Sequence, residues 1–145
     1  YLKEHENVGA EGNSYQVSIP KRHIDDGFFL SFLVRFCSNV FGGSHRDYYM
    51  REWSGHFDGY DIWANFAYKD NYNPEHNHTG NVSGVIYYKN KDRVQTLFTN
   101  NNIAYEGDEG TMIIFPSDTW HRVDPQKSKK ERITIAFNLH KYDRN

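Results

Sequence analysis

The chain has a single cysteine, Cys37, among 145 residues, so no internal disulfide framework can staple the fold. It has no apolar run long enough to span a bilayer, and residues 1–20 lack the basic-then-apolar order of a secretory signal. Neither sign of charge dominates: 17 Lys and Arg stand against 19 Asp and Glu, leaving no bulk field to recruit nucleic acid or an anionic membrane. Internal repeats and low-complexity tracts are missing, and leucine is scarce for a helical bundle. These absences set the expectation of a soluble, cytoplasmic protein with no membrane partner and no strong nucleic-acid signal.

Aromatic residues are abundant, with 11 Tyr, 10 Phe and 3 Trp, which favours strands. The length suits one domain over residues 1–145. Residues 1–20 read as a loose terminus followed by an edge strand around Tyr15–Ile19. A helix is expected over residues 25–40, where Phe28, Phe29, Phe32, Leu33 and Phe36 recur at spacings of three and four. Asp25 or Asp26 can cap its start, and Gly42 and Gly43 end it. Residues 44–60 mix aromatics, glycines and charges without a period, as a loop over a site mouth does. Short strand-like runs then follow at 61–68, 82–89, 94–99, 111–115 and 133–140, separated by turn-forming segments. The prediction is a mainly β protein: a jelly-roll barrel core over residues 61–140, supported by the N-terminal helix.

The residues with the most chemical content are His76 and His78 in Glu75-His76-Asn77-His78-Thr79-Gly80, with His121 following in Phe115-Pro116-Ser117-Asp118-Thr119-Trp120-His121. On an extended chain, positions i and i+2 point to one face, so His76 and His78 can converge, and His121 makes a possible third metal ligand. The last strand supplies a second facing argument. Ile133, Ile135, Phe137 and Leu139 form an apolar face, which turns Arg132, Thr134, Ala136 and Asn138 the other way. If the apolar face packs on a helix, Arg132 lines a cavity, where a buried guanidinium needs an anion to be tolerable.

The order of these motifs resembles the 2-oxoglutarate- and Fe(II)-dependent oxygenases. It runs from His-x-His through the strand Ser83-Gly84-Val85-Ile86-Tyr87-Tyr88 and the segment from Gly110 to His121, to Arg132-Ile133-Thr134-Ile135-Ala136-Phe137-Asn138. The nearest likeness is to small, poorly characterised oxygenases with a His-x-His-x-Gly motif, and more distantly to the prolyl hydroxylases. The resemblance spans about half the chain, Trp63 to Leu139, and implies a double-stranded β-helix with a metal near its open end. It further implies Fe(II), the co-substrates 2-oxoglutarate and O2, release of succinate and CO2, and hydroxylation or oxidative demethylation of a substrate it does not identify. Position by position, His76 and His121 match the metal histidines, 45 residues apart, and Arg132, 11 residues later, matches the arginine that anchors the far carboxylate of 2-oxoglutarate. Tyr88 matches a position that donates its hydroxyl to that carboxylate, although a shift of one residue selects Tyr87 and the opposite face. Thr134 and Asn65 are further candidates for the co-substrate site.

His78 departs from the pattern, which has Asp or Glu at its position. A two-histidine, one-carboxylate triad with open positions marks non-haem Fe(II) oxygenases, and a third neutral imidazole leaves the metal one unit more positive. Three readings follow: His78 is a true ligand, a carboxylate such as Asp118 or Glu75 completes the site, or the site takes another metal. His76-x-His78 together with Gly110, Pro116, Asp118 and His121 is also similar to the cupin motifs, although the glutamate that cupins place after His-x-His is missing. The alternatives are therefore a cupin-type three-histidine dioxygenase or a cupin-like ligand-binding or interaction module without catalysis. His5, His23, His45, His56 and His140 read as solvated or locally hydrogen-bonded, and Cys37 as a small buried hydrophobe.

Overall fold

The structure, a computed structural model, describes residues 14–24, 26–52 and 59–143. The expected loose terminus before residue 14, the capping role of Asp25 and part of the 44–60 loop lie outside the described residues. In chain order come β1 (Tyr15–Pro20), a π-helical turn (Asp26–Leu30), α1 (Ser31–Phe41), β2 (Tyr48–Tyr49), β3 (Gly59–Ala67), β4 (Asn73–His76) and β5 (Val82–Lys89). β6 (Thr96–Phe98), β7 (Ile103–Tyr105), β8 (Met112–Pro116), β9 (His121–Val123) and β10 (Arg132–Lys141) follow. No helix among the described residues is long and apolar enough to cross a membrane.

The strands form two antiparallel sheets. The larger has the order β1-β3-β10-β5-β8, with β2 pairing the far end of β10, and the smaller has the order β4-β9-β6-β7. This is the predominantly β architecture of a double-stranded β-helix with an N-terminal helix, as the strand spacing predicts. β10 is the central strand, and its alternation organises the molecule. Phe137 and Leu139, both fully buried, pack on the helix side with Ile62 of β3, Val82 of β5, and Leu33 and Cys37 of α1. Each large side chain buried there contributes about 1.5–3 kcal/mol. The opposite face of the same sheet carries Arg132, Thr134 and Asn138 of β10, Asn65 of β3, and Ser83 and Tyr87 of β5, all buried.

Gly84 pairs directly with Phe137 across the β5–β10 ladder. The Phe137 ring lies over it, in the space a Cβ would occupy. Only a glycine lets the ring seat flat on the strand.

The helix corrects the predicted stripe. Phe29, Leu30, Leu33, Val34 and Cys37 face the core, whereas Phe28, Phe32 and Phe36 are 74%, 51% and 38% exposed. The two rows run side by side at a spacing of four: Phe29, Leu33 and Cys37 face inward, and Phe28, Phe32 and Phe36, each one position earlier, lie about 100° round the helix toward solvent. α1 proper starts at Ser31 with Leu30 at its N-cap and no side-chain cap, so the helix begins later than the sequence predicts, after a π-helical turn over Asp26–Leu30. Its other end is as predicted: Gly42 takes φ 88° and its N–H donates to Ser38 O.

Candidate metal centre

His76 ends β4 and lies directly opposite His121, the first residue of β9. His78 falls two residues beyond the end of β4, so strand alternation alone does not aim it. Its backbone is held instead by its N–H donating to Ser117 O at 2.8 Å. The three rings nevertheless meet. Their centroids are 5.0 Å apart for His76 and His78, 4.2 Å for His76 and His121, and 4.9 Å for His78 and His121. One ligand nitrogen from each lies within 4.8 Å of the other two.

Each imidazole is held by its other nitrogen. His76 Nδ1 lies 2.6 Å from Pro74 O, His121 Nδ1 2.9 Å from Thr119 O, and His78 Nδ1 2.7 Å from Asn138 Oδ1. Carbonyl and amide oxygens only accept, so all three Nδ1 atoms carry the proton and the three Nε2 lone pairs remain for a metal. Burial pushes all three pKa values below the ordinary histidine value of 6.5, and His121 falls to about 4, helped by the neighbouring charge of His76. At neutral pH the three rings are therefore uncharged, as ligation requires. A set of three neutral imidazoles is compatible with Fe(II).

No carboxylate joins them. Among the described residues the cluster consists of histidines alone. Glu75 is exposed and accepts a hydrogen bond from the Thr99 hydroxyl, and Asp118 is exposed. The reading in which Glu75 or Asp118 completes the site is corrected accordingly: Glu75 on β4 and Asp118 in the turn before β9 are both exposed and outside the cluster.

Behind the histidines, a narrow chamber of about 40 Å³ runs between the sheets to Arg132, Thr134 and Asn65. In front, a cleft of about 400 Å³ opens over His76 and His78, bounded by Arg51, Asp61 and Trp63. Arg132 is only 6% exposed, and its Nε has no hydrogen-bond partner. Its guanidinium lies 5.8 Å from the centroid of the Tyr87 ring, and burial works against its charge. Asn65 Nδ2 donates to Thr134 Oγ1 at 3.3 Å, while Asn65 Oδ1 is buried with no partner. Arg132, Thr134 and Asn65 are thus brought together on one wall.

Tyr88 is not brought to that wall. It is 67% exposed, while Tyr87 is fully buried with its hydroxyl 2.6 Å from Thr96 Oγ1. The ladder explains the correction. Thr134 pairs with Tyr87 but Ile133 pairs with Lys89, so a β-bulge makes Tyr88 the extra, outward-facing residue.

Sequence reasoning placed Asn138 on the Arg132 face without giving it a role, and missed Asp61. Both carry a usable signal: Asn138 shares the Arg132 face by alternation along β10, and Asp61 shares the Asn65 face along β3.

The profile of a family described as "Putative 2OG-Fe(II) oxygenase" matches residues 93–138, about a third of the chain, and includes His121 and Arg132. Among solved structures, the chain is similar to an oxidoreductase of the 2OG-Fe(II) oxygenase family from Burkholderia pseudomallei. The TM-score is 0.66 at 15% identity, covering 93% of this chain and 71% of the other. It is also similar to a Pseudomonas putida prolyl-4-hydroxylase, with a TM-score of 0.60 at 14% identity, covering 94% and 76%. No curated protein matches the chain. The fold is that of the 2-oxoglutarate/Fe(II) oxygenases, and it carries a three-histidine cluster beside a cleft.

Proposed function

We propose that this protein is a 2-oxoglutarate- and Fe(II)-dependent dioxygenase that hydroxylates, or oxidatively demethylates, a substrate held in the cleft over His76 and His78. The observation that carries the reading is Arg132, a buried guanidinium with an unpartnered Nε and no carboxylate paired to it among the described residues, at the inner end of a chamber that starts at three metal-ready imidazoles. Arginine matches a carboxylate with two parallel N–H donors, and a dicarboxylate lying along the chamber would neutralise it.

In this reading, His76, His78 and His121 hold Fe(II) through their Nε2 atoms. Arg132 takes the far carboxylate of 2-oxoglutarate, with the Thr134 hydroxyl and Asn65 beside it. Tyr87 packs along the guanidinium, and its hydroxyl meets Thr96, which lines the chamber. Bound iron and the co-substrate supply the oxygen chemistry: O2 and 2-oxoglutarate go to succinate and CO2, one oxygen atom entering succinate and the other a substrate C–H bond. The chain's own groups position the reactants and exclude solvent. A hydroxylated N-methyl or O-methyl carbon would leave as formaldehyde, so the C–H bond presented at the cleft decides between hydroxylation and demethylation.

The test is anaerobic titration of Fe(II) and then 2-oxoglutarate, followed through the visible metal-to-ligand charge-transfer band. The expected result is a saturable band that is lost in Arg132→Ala, with succinate formed on admitting O2. Iron binding without a response to 2-oxoglutarate would refute the proposal in favour of a cupin-type three-histidine dioxygenase, which the histidine at position 78 otherwise suits. No metal binding at all would leave the ligand-binding module.

A further inference from the structure

Two of the three imidazoles are oriented by main-chain carbonyls, of Pro74 and Thr119, so their tautomers are fixed by the fold itself. His78 differs: the acceptor for its Nδ1 is a side chain, Asn138 Oδ1, 2.7 Å away. An amide offers either an oxygen or an NH2 group, so Asn138 could in principle orient His78 either way. The surroundings remove that freedom. Asn138 Nδ2 lies 3.3 Å from both oxygens of Asp61, and a carboxylate only accepts. Ser83 Oγ lies 2.6 Å from Asn138 Oδ1 on the other side. Asp61 is itself held in place, with His140 Nε2 at 3.2 Å. Asn138 and Asp61 are buried, 5% and 8% exposed, so each contact is made by a largely desolvated group.

We infer that Asp61 and Asn138 are positioning residues that make His78 a metal ligand. The Asp61 carboxylate turns the NH2 of Asn138 toward itself, which presents Oδ1 to His78, which places the proton on Nδ1 and leaves the Nε2 lone pair facing His76 and His121. Where the related pattern has a carboxylate ligand, this chain has an imidazole whose tautomer is set by a carboxylate two residues removed in space. The inference rests on the three-histidine reading of the site and goes beyond it, because it assigns roles to residues that touch neither the metal nor the co-substrate.

The test uses two variants, Asn138→Leu and Asp61→Asn, and two readouts on the full chain. The first is the tautomer of each histidine in the metal-free protein at pH 7.5, read from long-range imidazole 1H–15N correlations. Wild type is expected to show all three rings protonated on Nδ1. Asn138→Leu is expected to convert His78 alone to a mixture, leaving His76 and His121 unchanged, which a general loss of structure would not do. Asp61→Asn, a smaller perturbation, is expected to shift His78 partway. The second readout is affinity for Co(II) alone, expected to fall about 10–100-fold in Asn138→Leu. A His78 ring that stays protonated on Nδ1 in both variants overturns the inference, as does unchanged Co(II) affinity. A wild-type protein with the expected tautomers that nevertheless shows no response to 2-oxoglutarate would sink the proposed reaction while leaving the positioning roles standing.

Discussion

Replacing Arg132 by methionine should make the protein more stable and blind to 2-oxoglutarate at once. The guanidinium is 6% exposed, its Nε has no acceptor, and its nearest favourable neighbour is the face of Tyr87 at 5.8 Å. A charge so placed has lost most of its hydration and gained little in return. Exchanging buried charges for apolar side chains of similar volume is often neutral or stabilising by about 1–4 kcal/mol. Taking ~2 kcal/mol, Tm should rise by roughly 4–8 °C for a chain of this size. The ligand response moves the other way. Saturating 2-oxoglutarate at a hundred times its Kd should stabilise the Zn(II)-loaded wild type by about 2.7 kcal/mol, and the variant by nothing measurable. The assay is thermal and urea unfolding of both proteins, Zn(II)-loaded to prevent turnover, with and without 2-oxoglutarate. A variant that loses about 2–5 kcal/mol, as a core truncation does, and still responds to 2-oxoglutarate would refute the reasoning.

The metal-free protein should lose stability as pH falls below about 6.5. Burial holds His121 neutral down to about 4, so over that window the unfolded chain takes up a proton that the folded chain refuses. The shift corresponds to on the order of 3 kcal/mol at its full extent, flat above pH 7 and lost toward pH 4. Urea unfolding across this range, compared with His121→Gln, checks it, and identical slopes for the two proteins would contradict it. Gly84→Ala should cost about 1–3 kcal/mol in the same assay, because its Cβ would displace the buried Phe137 ring; a cost under 0.5 kcal/mol would show that the ring has room to move. His78→Asp should bind Co(II) more weakly than wild type, with part of the loss recovered when Asp61→Asn is added. The two changes should couple by about 0.5–3 kcal/mol, and strict additivity would argue against a shared network.

What the sequence made legible follows period and length. A long alternating segment such as β10 carries enough positions for a face to be assigned, so the shared face of Arg132, Thr134 and Asn138 is legible in the sequence alone. β4 and β9 carry His76 and His121 but are four and three residues long, too short for a pattern to register. Their convergence comes from pairing across the smaller sheet, a contact of high sequence separation that no local window contains. The Tyr88 error has the same character, since a bulge is a property of a strand pair and depends on the partner's register. The predicted α1 stripe is too wide: the phenylalanines at 28, 32 and 36 keep the helical spacing but sit one position off the row that meets the core, and spacing alone does not say which of two adjacent apolar rows is buried.

The identity of residue 78 is best understood together with Asn138 and Asp61. A carboxylate at position 78 would aim an acceptor at Asn138 Oδ1, itself an acceptor, and the amide could turn to meet it only by setting its oxygen against the Asp61 carboxylate. Burial of the Asn138 and Asp61 side chains makes either mismatch costly. An imidazole at position 78 satisfies the same neighbours without conflict: it donates where Asn138 accepts and keeps its lone pair for the metal. The three residues therefore form one consistent hydrogen-bonding set, in which a negative charge is kept near the site but outside the ligand positions. This complementary arrangement around the imidazole is what the proposed ligand role of His78 requires.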